Sequence, residues 1–206
     1  MVINEEEKLA VAPRHAKQSE GEGVASLYEW VEAAVFSLIV VVLVFAFIFR
    51  IVGVDGTSMM PTLRDYDRLI LTHFLYEPER GDIVVINRYD NEPLVKRIIA
   101  VGGDTVEVTE AGDVLLKKAG QAEAQVLNEP YIQEGVKTWR NQMNGPVTVP
   151  EGYVFVMGDN RGPGCSHDSR SGEAGLLFVD ERDLMGKAVY RIWPFESFGG
   201  LYDYES

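Results

Sequence analysis

The sequence predicts a mainly β protein, with an antiparallel sheet or partly open barrel that follows one N-terminal transmembrane helix. An uncharged apolar run at 33–49 predicts the helix. Short apolar segments between turn residues, together with the many β-branched and aromatic residues of the second half, predict the sheet. The 206 residues suit one domain of ordinary size with an appendage.

Residues 1–29 are predicted to form a polar tail. The stretch up to about Gly23 lacks periodicity and contains Pro13, which is typical of a disordered segment. Few basic residues lie in this tail, so the positive-inside rule places it only weakly on the cytoplasmic side.

Residues 30–52 are predicted to be the membrane anchor. About 20 apolar residues at a rise of about 1.5 Å each cross a hydrocarbon core of about 30 Å. Trp30 suits one interface and Arg50 the other. A cleaved signal peptide is the competing interpretation, but its apolar region is shorter and lies nearer the N-terminus. A buried core helix is rarely uncharged over such a length.

Residues 53–206 are predicted to be a β-rich extracytoplasmic domain. Its candidate strands are bounded by Gly, Pro, Asn or Asp, and the segment at about 107–150 is loop-rich enough to form a subdomain. The candidate strands are 68–75, 82–86, 93–101, 104–108, 113–116, 147–149, 153–157 and 187–192.

Composition excludes several classes of function. The formal charge of −13 argues against nucleic-acid binding, which needs surfaces rich in Lys and Arg. Cys165 is the single cysteine, so no intramolecular disulfide can form. The sequence C-S-H-D at 165–168 has no second ligand cluster at the spacing of a zinc site, so we expect no metal and no cofactor.

A turn soon after the apolar run carries a candidate nucleophile. Residues 53–63 read G-V-D-G-T-S-M-M-P-T-L, with Ser58 at the centre. A serine nucleophile needs a base within hydrogen-bond reach. The three histidines are poor candidates, since His15 lies in the tail, His73 in an apolar strand and His167 in a loop beside Asp168.

A lysine in an apolar strand is the better candidate for the base. The segment L-V-K-R-I-I at 94–99 places Lys96 on the face of Leu94 and Ile98, and Arg97 on the opposite face. Burial disfavours the ammonium form of lysine, and the neutral amine is a competent general base. Ser-Lys dyads are a known alternative to Ser-His-Asp. The competing interpretation is that Lys96 lies at an edge and reaches solvent.

A glycine-rich loop at 158–170 crowds charged and polar residues together. It reads G-D-N-R-G-P-G-C-S-H-D-S-R. One interpretation is an exposed acid–base turn, in which ion pairs contribute only about 0–1 kcal/mol. The other is a loop that orients the base and supports the nucleophile.

Four segments resemble type I signal peptidases in order and spacing. These are S-M-M-P at 58–61, R-G-D-I-V-V at 80–85, V-K-R-I-I-A-V-G-G-D-T-V at 95–106 and G-D-N-R with S-H-D-S-R at 158–170. Further similarity includes L-N-E-P-Y at 127–131, and the resemblance extends from Gly53 to Phe195. It implies a single-pass protein of the cytoplasmic membrane that removes signal peptides from exported preproteins and cleaves after small residues of the A-x-A type. The implied partners are those preproteins and membrane lipid, and contact with the secretion machinery stays open.

The resemblance also implies roles for individual residues. Ser58 is the expected nucleophile, Lys96 the general base and Ser166 the serine that orients the lysine. Asp168 and Arg170 match a supporting ion pair of the family, and Asp159 and Arg97 are further candidates to support the site. The substrate is expected to add as a strand between 53–58 and 93–96, against Val54, Gly56, Met59, Leu63, Leu94 and Val95.

Two departures from the family pattern affect these expectations. Gly56 stands where some relatives carry a serine whose hydroxyl assists the oxyanion hole. The insertion G-P-G-C at 162–165 lengthens the path from Arg161 to Ser166. Both keep open an inactive membrane-anchored binding module. A self-cleaving Ser-Lys repressor is disfavoured because an anchor stands in place of a DNA-binding segment.

Overall fold

The computed structural model describes residues 18–89, 92–172 and 176–203. Within them, one α-helix is followed by twelve β-strands. The helix is α1, Gln18–Ile48. The strands are β1 Phe49–Gly53, β2 Arg68–Thr72, β3 Ile83–Ile86, β4 Leu94–Val101, β5 Thr105–Val108, β6 Val114–Lys117, β7 Gln125–Val126, β8 Val147–Thr148, β9 Tyr153–Met157, β10 Val179–Asp180, β11 Leu184–Trp193 and β12 Gly199–Gly200. Short 3₁₀ turns occupy Ser169–Ser171, Glu181–Asp183 and Phe195–Ser197.

The first compact unit, Met1–Phe47, contains all of α1 except its last residue, Ile48. Its stretch Ser26–Ala46 has a mean hydropathy of 2.2 and is long and apolar enough to cross a membrane, so it fits an anchor. Two predicted boundaries differ from the structure. The helix begins at Gln18, within the predicted tail, and ends at Ile48, before the predicted end of the anchor at residue 52. The predicted disorder of residues 1–17 lies outside the described residues.

The helix ends where sheet pairing begins. Residues 49–52 were expected in the anchor, but they form most of β1, which pairs antiparallel with β2 from Phe49↔Thr72 to Gly53↔Arg68. Ladder hydrogen bonds to β2 satisfy the backbone of this segment. Hydropathy alone could not separate these residues from the helix, because Phe, Ile and Val suit both structures.

The second unit, Ile48–Ser206, is built on a curled antiparallel sheet. Its strand order is β1-β2-β11-β3-β4-β9-β10, and β12 pairs with β11. All eight candidate strands are present. Strands β1, β7, β10 and β12 were not predicted, and the last three of them are only two residues long. The mainly β, antiparallel fold class is confirmed.

Apolar clusters cover both faces of the central strands. One cluster includes Ile98 with Val84 and Val156, and Leu94 packs against it. Val95 belongs to a second cluster with Ile83, and Ile99 belongs to a third. Because alternate residues of β4 face opposite sides, Lys96 and Arg97 leave the strand in opposite directions, each among apolar neighbours.

A second sheet follows in the order β7-β6-β5-β8. It lies largely within the segment predicted to be loop-rich, although β5 begins at Thr105, and it is part of the same compact unit as the curled sheet. Its buried side chains, such as Val106 and Leu116, share a cluster with Phe155 and Met157 of β9. The small sheet therefore packs against the strand that leads into the 158–170 loop.

Candidate active site

The turn after β1 holds Ser58. The Val54 amide donates to the Asp67 carbonyl at 2.8 Å, and the Met60 amide donates to the Thr57 carbonyl at 3.1 Å. Met59 is 1% exposed, and its packing in the core anchors the turn to the domain. Gly56 has a φ of +88°, a backbone conformation that favours glycine, so this position suits the residue that the sequence places there.

Lys96 of β4 contacts Ser58 in the turn that follows β1. The Lys96 Nζ atom donates to Ser58 Oγ at 2.7 Å and to the Val95 carbonyl at 3.0 Å. The side chain is not at an exposed edge, since Lys96 is only 2% exposed. The interpretation in which Lys96 reaches solvent is therefore wrong.

The surroundings of Lys96 favour its neutral form. Burial is the main cause that lowers its pKa, to about 8, and the Arg170 charge lowers it further. The carboxylates of Asp168 and Asp159 act in the opposite direction. A substantial fraction of the amine is therefore neutral near pH 8, in hydrogen-bond contact with a hydroxyl.

The 158–170 loop contacts the turn that carries Ser58, and Asn160 makes these contacts. The Asn160 amide donates to the Ser58 carbonyl at 3.0 Å, and Asn160 Nδ2 donates to the Thr57 carbonyl at 3.1 Å. At Gly158 the two backbones approach so closely that a Cβ atom would lie 2.3 Å from the Ser58 carbonyl oxygen and 2.3 Å from Ser166 Oγ. The chain therefore has room only for glycine at this position.

Two buried ion pairs brace this loop. Arg97 Nε and Nη2 donate to the two Asp159 oxygens at 2.8 and 2.7 Å, with both side chains fully buried. Arg170 Nε and Nη2 donate to the Asp168 carboxylate at 2.9 and 2.7 Å. Burial by itself raises the pKa of Asp168, but the hydrogen bonds and charge of Arg170 hold it below its ordinary value. Asp168 also accepts from the Gly158 amide at 3.0 Å.

Comparison with protein families matches residues 27–193 to the family described as signal peptidase, peptidase S26. The match covers more than half of the chain. The chain belongs to the signal peptidase family. It is therefore a serine-type peptidase, a hydrolase, in a family that removes signal peptides.

Individual signal peptidases are similar over most of their length. Signal peptidase I of Bacillus licheniformis is 38% identical over 82% of this chain and 90% of its own. Signal peptidase I S of Bacillus subtilis is 36% identical over 82% of this chain and 91% of its own. Signal peptidase IB of Staphylococcus aureus is 33% identical, over 84% and 92%. A crystal structure of a signal peptidase I from Enterococcus faecalis covers 54% of this chain and 97% of its own, with 26% identity and a TM-score of 0.39.

Ser166 does not make the contact that membership of the signal peptidase family led us to expect. Its Oγ atom is buried and has no partner at ordinary hydrogen-bond distance among the described residues, although the hydroxyl lies close enough to Asp168 to contribute to the lowered pKa of that carboxyl. The Lys96 amine instead uses Ser58 and the Val95 carbonyl. The lengthened path through 162–165 is the departure from the family pattern that precedes Ser166 in the sequence.

The expected substrate-binding side chains are mostly buried. Met59 and Leu63 are core side chains at 1% and 0% exposure, and the expectation that they line shallow substrate pockets stays a prediction. Val54 and Val95 are also buried, at 5% and 8%. Leu94 and Gly56 are half-buried. These side chains pack inward because the turn and the strand bury their apolar faces in one cluster.

Three residues near the site were missed as individual candidates. Glu129 and Tyr131 lie in the family-like L-N-E-P-Y segment, to which no role was assigned, and Arg161 was recognised only as part of a crowded loop. Tyr131 contacts Arg97, the Arg161 carbonyl accepts from Arg170, and Glu129 bonds to both Tyr131 and Arg161. Among the described residues, no group of three or more His, Cys, Asp or Glu side chains could hold a metal ion.

Proposed function

We propose that this chain is a membrane-bound endopeptidase that removes N-terminal signal peptides from exported preproteins through a Ser58–Lys96 dyad. The observation that carries the proposal is the 2.7 Å contact between Ser58 Oγ and the buried Lys96 Nζ. A hydroxyl beside a largely desolvated amine has the geometry and the basicity that nucleophilic catalysis needs.

The reaction runs in two steps. Neutral Lys96 takes the proton of Ser58 as Oγ attacks the scissile carbonyl, and the protonated amine then gives that proton to the leaving amine of the mature protein. This leaves the signal peptide as an ester on Ser58. Lys96, neutral again, activates a water that attacks the ester and releases the signal peptide as a carboxylate.

Backbone groups supply the oxyanion site. Within the described residues no hydrogen bond uses the Ser58 amide, which leaves it available to a developing oxyanion. With Gly56 in place of a serine, the oxyanion would be bound by main-chain amides. Because glycine has no side chain, the backbone at residue 56 can approach the substrate carbonyl closely.

The substrate binds as an added strand. On one edge, Leu94, Val95 and Lys96 pair with Ile86, Val85 and Val84, whereas the pairing with β9 begins only at Arg97. The other edge of Leu94–Lys96 faces the 53–58 segment and offers backbone groups to an extended peptide. The core packing of Met59 and Leu63 leaves a shallow floor, which favours small side chains such as alanine.

The helix α1 fits the same function. Its stretch Ser26–Ala46 would lie in membrane lipid, and Ser58 follows the end of α1 by only ten residues. A preprotein is held in the membrane by its own apolar segment. Anchoring therefore raises the effective concentration of enzyme and substrate for each other. The peptidase domain is placed on the extracytoplasmic face, where exported proteins emerge.

The test is cleavage of a preprotein by the full chain in detergent, with the new N-terminus identified by mass spectrometry. Wild type should cut once after an A-x-A sequence, and Ser58→Ala should lose at least about 1000-fold in kcat. Lys118→Ala removes an exposed lysine in place of Lys96 and should retain full activity. Normal cleavage by Ser58→Ala would refute the proposed nucleophile.

A further inference from the structure

The segment 127–131 reaches from the small sheet to a buried cation beneath the active site. The Glu129 carboxylate accepts from both terminal nitrogens of Arg161, with Nη1 at 2.8 Å from Oε2 and Nη2 on Oε1. Arg161 is 1% exposed, and it also donates to Thr138 Oγ1 at 2.9 Å and to the Gly158 carbonyl at 3.0 Å. Although burial by itself lowers the pKa of Arg161, the bonds to Glu129 hold it above its ordinary value. Its charge is therefore secure.

Tyr131 joins this pair to the second buried cation. Its hydroxyl donates to Glu129 Oε1 at 2.7 Å, and its ring centroid lies 3.7 Å from Arg97 Cζ. Stacking of this kind is stabilising when the guanidinium is desolvated, as Arg97 is. The Glu129 carboxylate therefore contacts Arg161, which follows Asn160 in sequence, and the Tyr131 ring contacts Arg97, which pairs with Asp159.

The segment 159–161, which these contacts hold, also contacts the turn that carries Ser58. Asp159 is fixed by Arg97, and Arg161 is fixed by Glu129. Asn160, between them, donates its amide to the Ser58 carbonyl and its side chain to the Thr57 carbonyl. Displacement of residue 159 or 161 would therefore move the backbone that carries Ser58.

We propose that Glu129 and Tyr131 are positioning residues for catalysis, which hold Asn160, and through it Ser58, at hydrogen-bond distance from Lys96. The inference rests on the proposed Ser58–Lys96 reaction and adds to it. Buried ion pairs contribute little net stability, because desolvation offsets their attraction. Fixed geometry is what this network supplies, and a displacement of about 1 Å at a reacting group can cost about 100-fold in rate.

The same network carries an electrostatic signature. The charges that face Lys96 come from Asp168, Arg170 and Asp159, and the Asp159 charge raises the pKa of the amine. Arg97 neutralises part of that charge. When the Tyr131 ring is removed, Arg97 is held less firmly and Asp159 acts more strongly on Lys96. The pH at which the rate rises should then move upward.

The experiment measures kcat, KM, the pH dependence of kcat and the thermal midpoint for the full chain in detergent. Tyr131→Leu removes both the ring and the hydroxyl, Tyr131→Phe keeps the ring over Arg97, and Glu129→Gln keeps shape while removing charge. The matched controls are Tyr89→Leu and Glu110→Gln, which alter exposed side chains away from the network. Wild type and Ser58→Ala, assayed beside them, test the proposed reaction independently.

We expect Tyr131→Leu and Glu129→Gln to lose about 10- to 100-fold in kcat with KM within about 3-fold of wild type. Tyr131→Phe should retain more activity than Tyr131→Leu, and the rising limb of the Tyr131→Leu profile should lie at higher pH. Unchanged kcat in both Tyr131→Leu and Glu129→Gln would overturn the inference. So would a loss that vanishes well below the thermal midpoint with no shift in the pH profile, since that result describes stability alone.

Discussion

At the scale of single residues, Lys96 joins stability to function. A lysine with a pKa of about 8 in the folded protein and about 10.4 in the unfolded chain binds fewer protons when folded between those pH values. The contribution of Lys96 to folding stability is therefore fully present above about pH 10.4, and it is lost as the pH falls towards 8. Near neutral pH the buried Lys96 amine is largely protonated, and this charged form lowers the free energy of unfolding.

Lys96→Met should make the protein inactive and more stable near pH 7. Each pKa unit corresponds to about 1.36 kcal/mol, so the gain in unfolding free energy can reach about 3 kcal/mol. The variant should also lose part of the rise in stability that wild type shows between pH 8 and 10. Denaturant unfolding at several pH values measures this. Identical pH dependence in both proteins would show that Lys96 is not desolvated.

Gly158 has a role that depends on the absence of a side chain. A methyl group there would meet the Ser58 carbonyl oxygen and Ser166 Oγ, each at 2.3 Å. Gly158→Ala should therefore displace Ser58 and reduce kcat by about 100-fold or more. Gly199→Ala is the control, because no atom lies within 4 Å of a Cβ at that position. Equal activity of the two variants would show that the turn tolerates the displacement.

At the scale of elements, the site depends on contacts between segments that are distant in sequence. The turn after β1 supplies Ser58, β4 supplies Lys96, and the loop after β9 bonds to that turn through Asn160. In the sheet order, three strands separate β1 from β4. The curl of the sheet brings the turn after β1 back to β4, and Leu94–Lys96 has no β9 partner along one edge, because that pairing begins only at Arg97.

Asp159→Asn tests how firmly β4 and the loop after β9 are joined. It leaves the fully buried Arg97 without its charge partner, so unfolding free energy should fall by about 3–5 kcal/mol. Asp180→Asn breaks a similar bidentate pair with Arg182 on the surface and should change stability little. Thermal unfolding of the two variants gives the comparison, and an equally small effect in both would refute the buried pair.

The elements also show what the sequence could predict. Strands with a clear apolar pattern, such as β4 and β9, were predicted within a few residues of their ends. The two-residue strands β7, β10 and β12 carry too few residues for a pattern, whereas β8, equally short, lies in the recognisable segment V-T-V at 147–149. Ser58 and Lys96 could be paired from sequence through a buried cation and a known dyad chemistry. Glu129 and Tyr131 could not, since their role depends on three-dimensional contacts with two arginines.

At the scale of the whole molecule, the chain combines an apolar helix with a compact β unit. The unit Ile48–Ser206 holds every residue of the proposed site. In the proposed function, chemistry and anchoring are separable, because an anchor would act through effective concentration and would add no group to the reaction.

A fragment that begins at Ile48 should fold and cleave a short soluble peptide with a kcat close to that of the full chain. On a preprotein embedded in vesicles, the full chain should have the advantage by about 100-fold or more. Parallel assays on the two substrates measure the difference. An equal rate for fragment and full chain on the embedded preprotein would contradict the role of the anchor.

The role of neutral Lys96 as the base for Ser58 is decided by the pH dependence of kcat for the full chain. The rate should rise with pH and level off above an apparent pKa near 8, as Lys96 loses its proton. Lys96→Ala should be nearly inactive at every pH. A wild-type rate that stays flat from pH 6 to about 9, or a Lys96→Ala variant with the wild-type rate and profile, would contradict it.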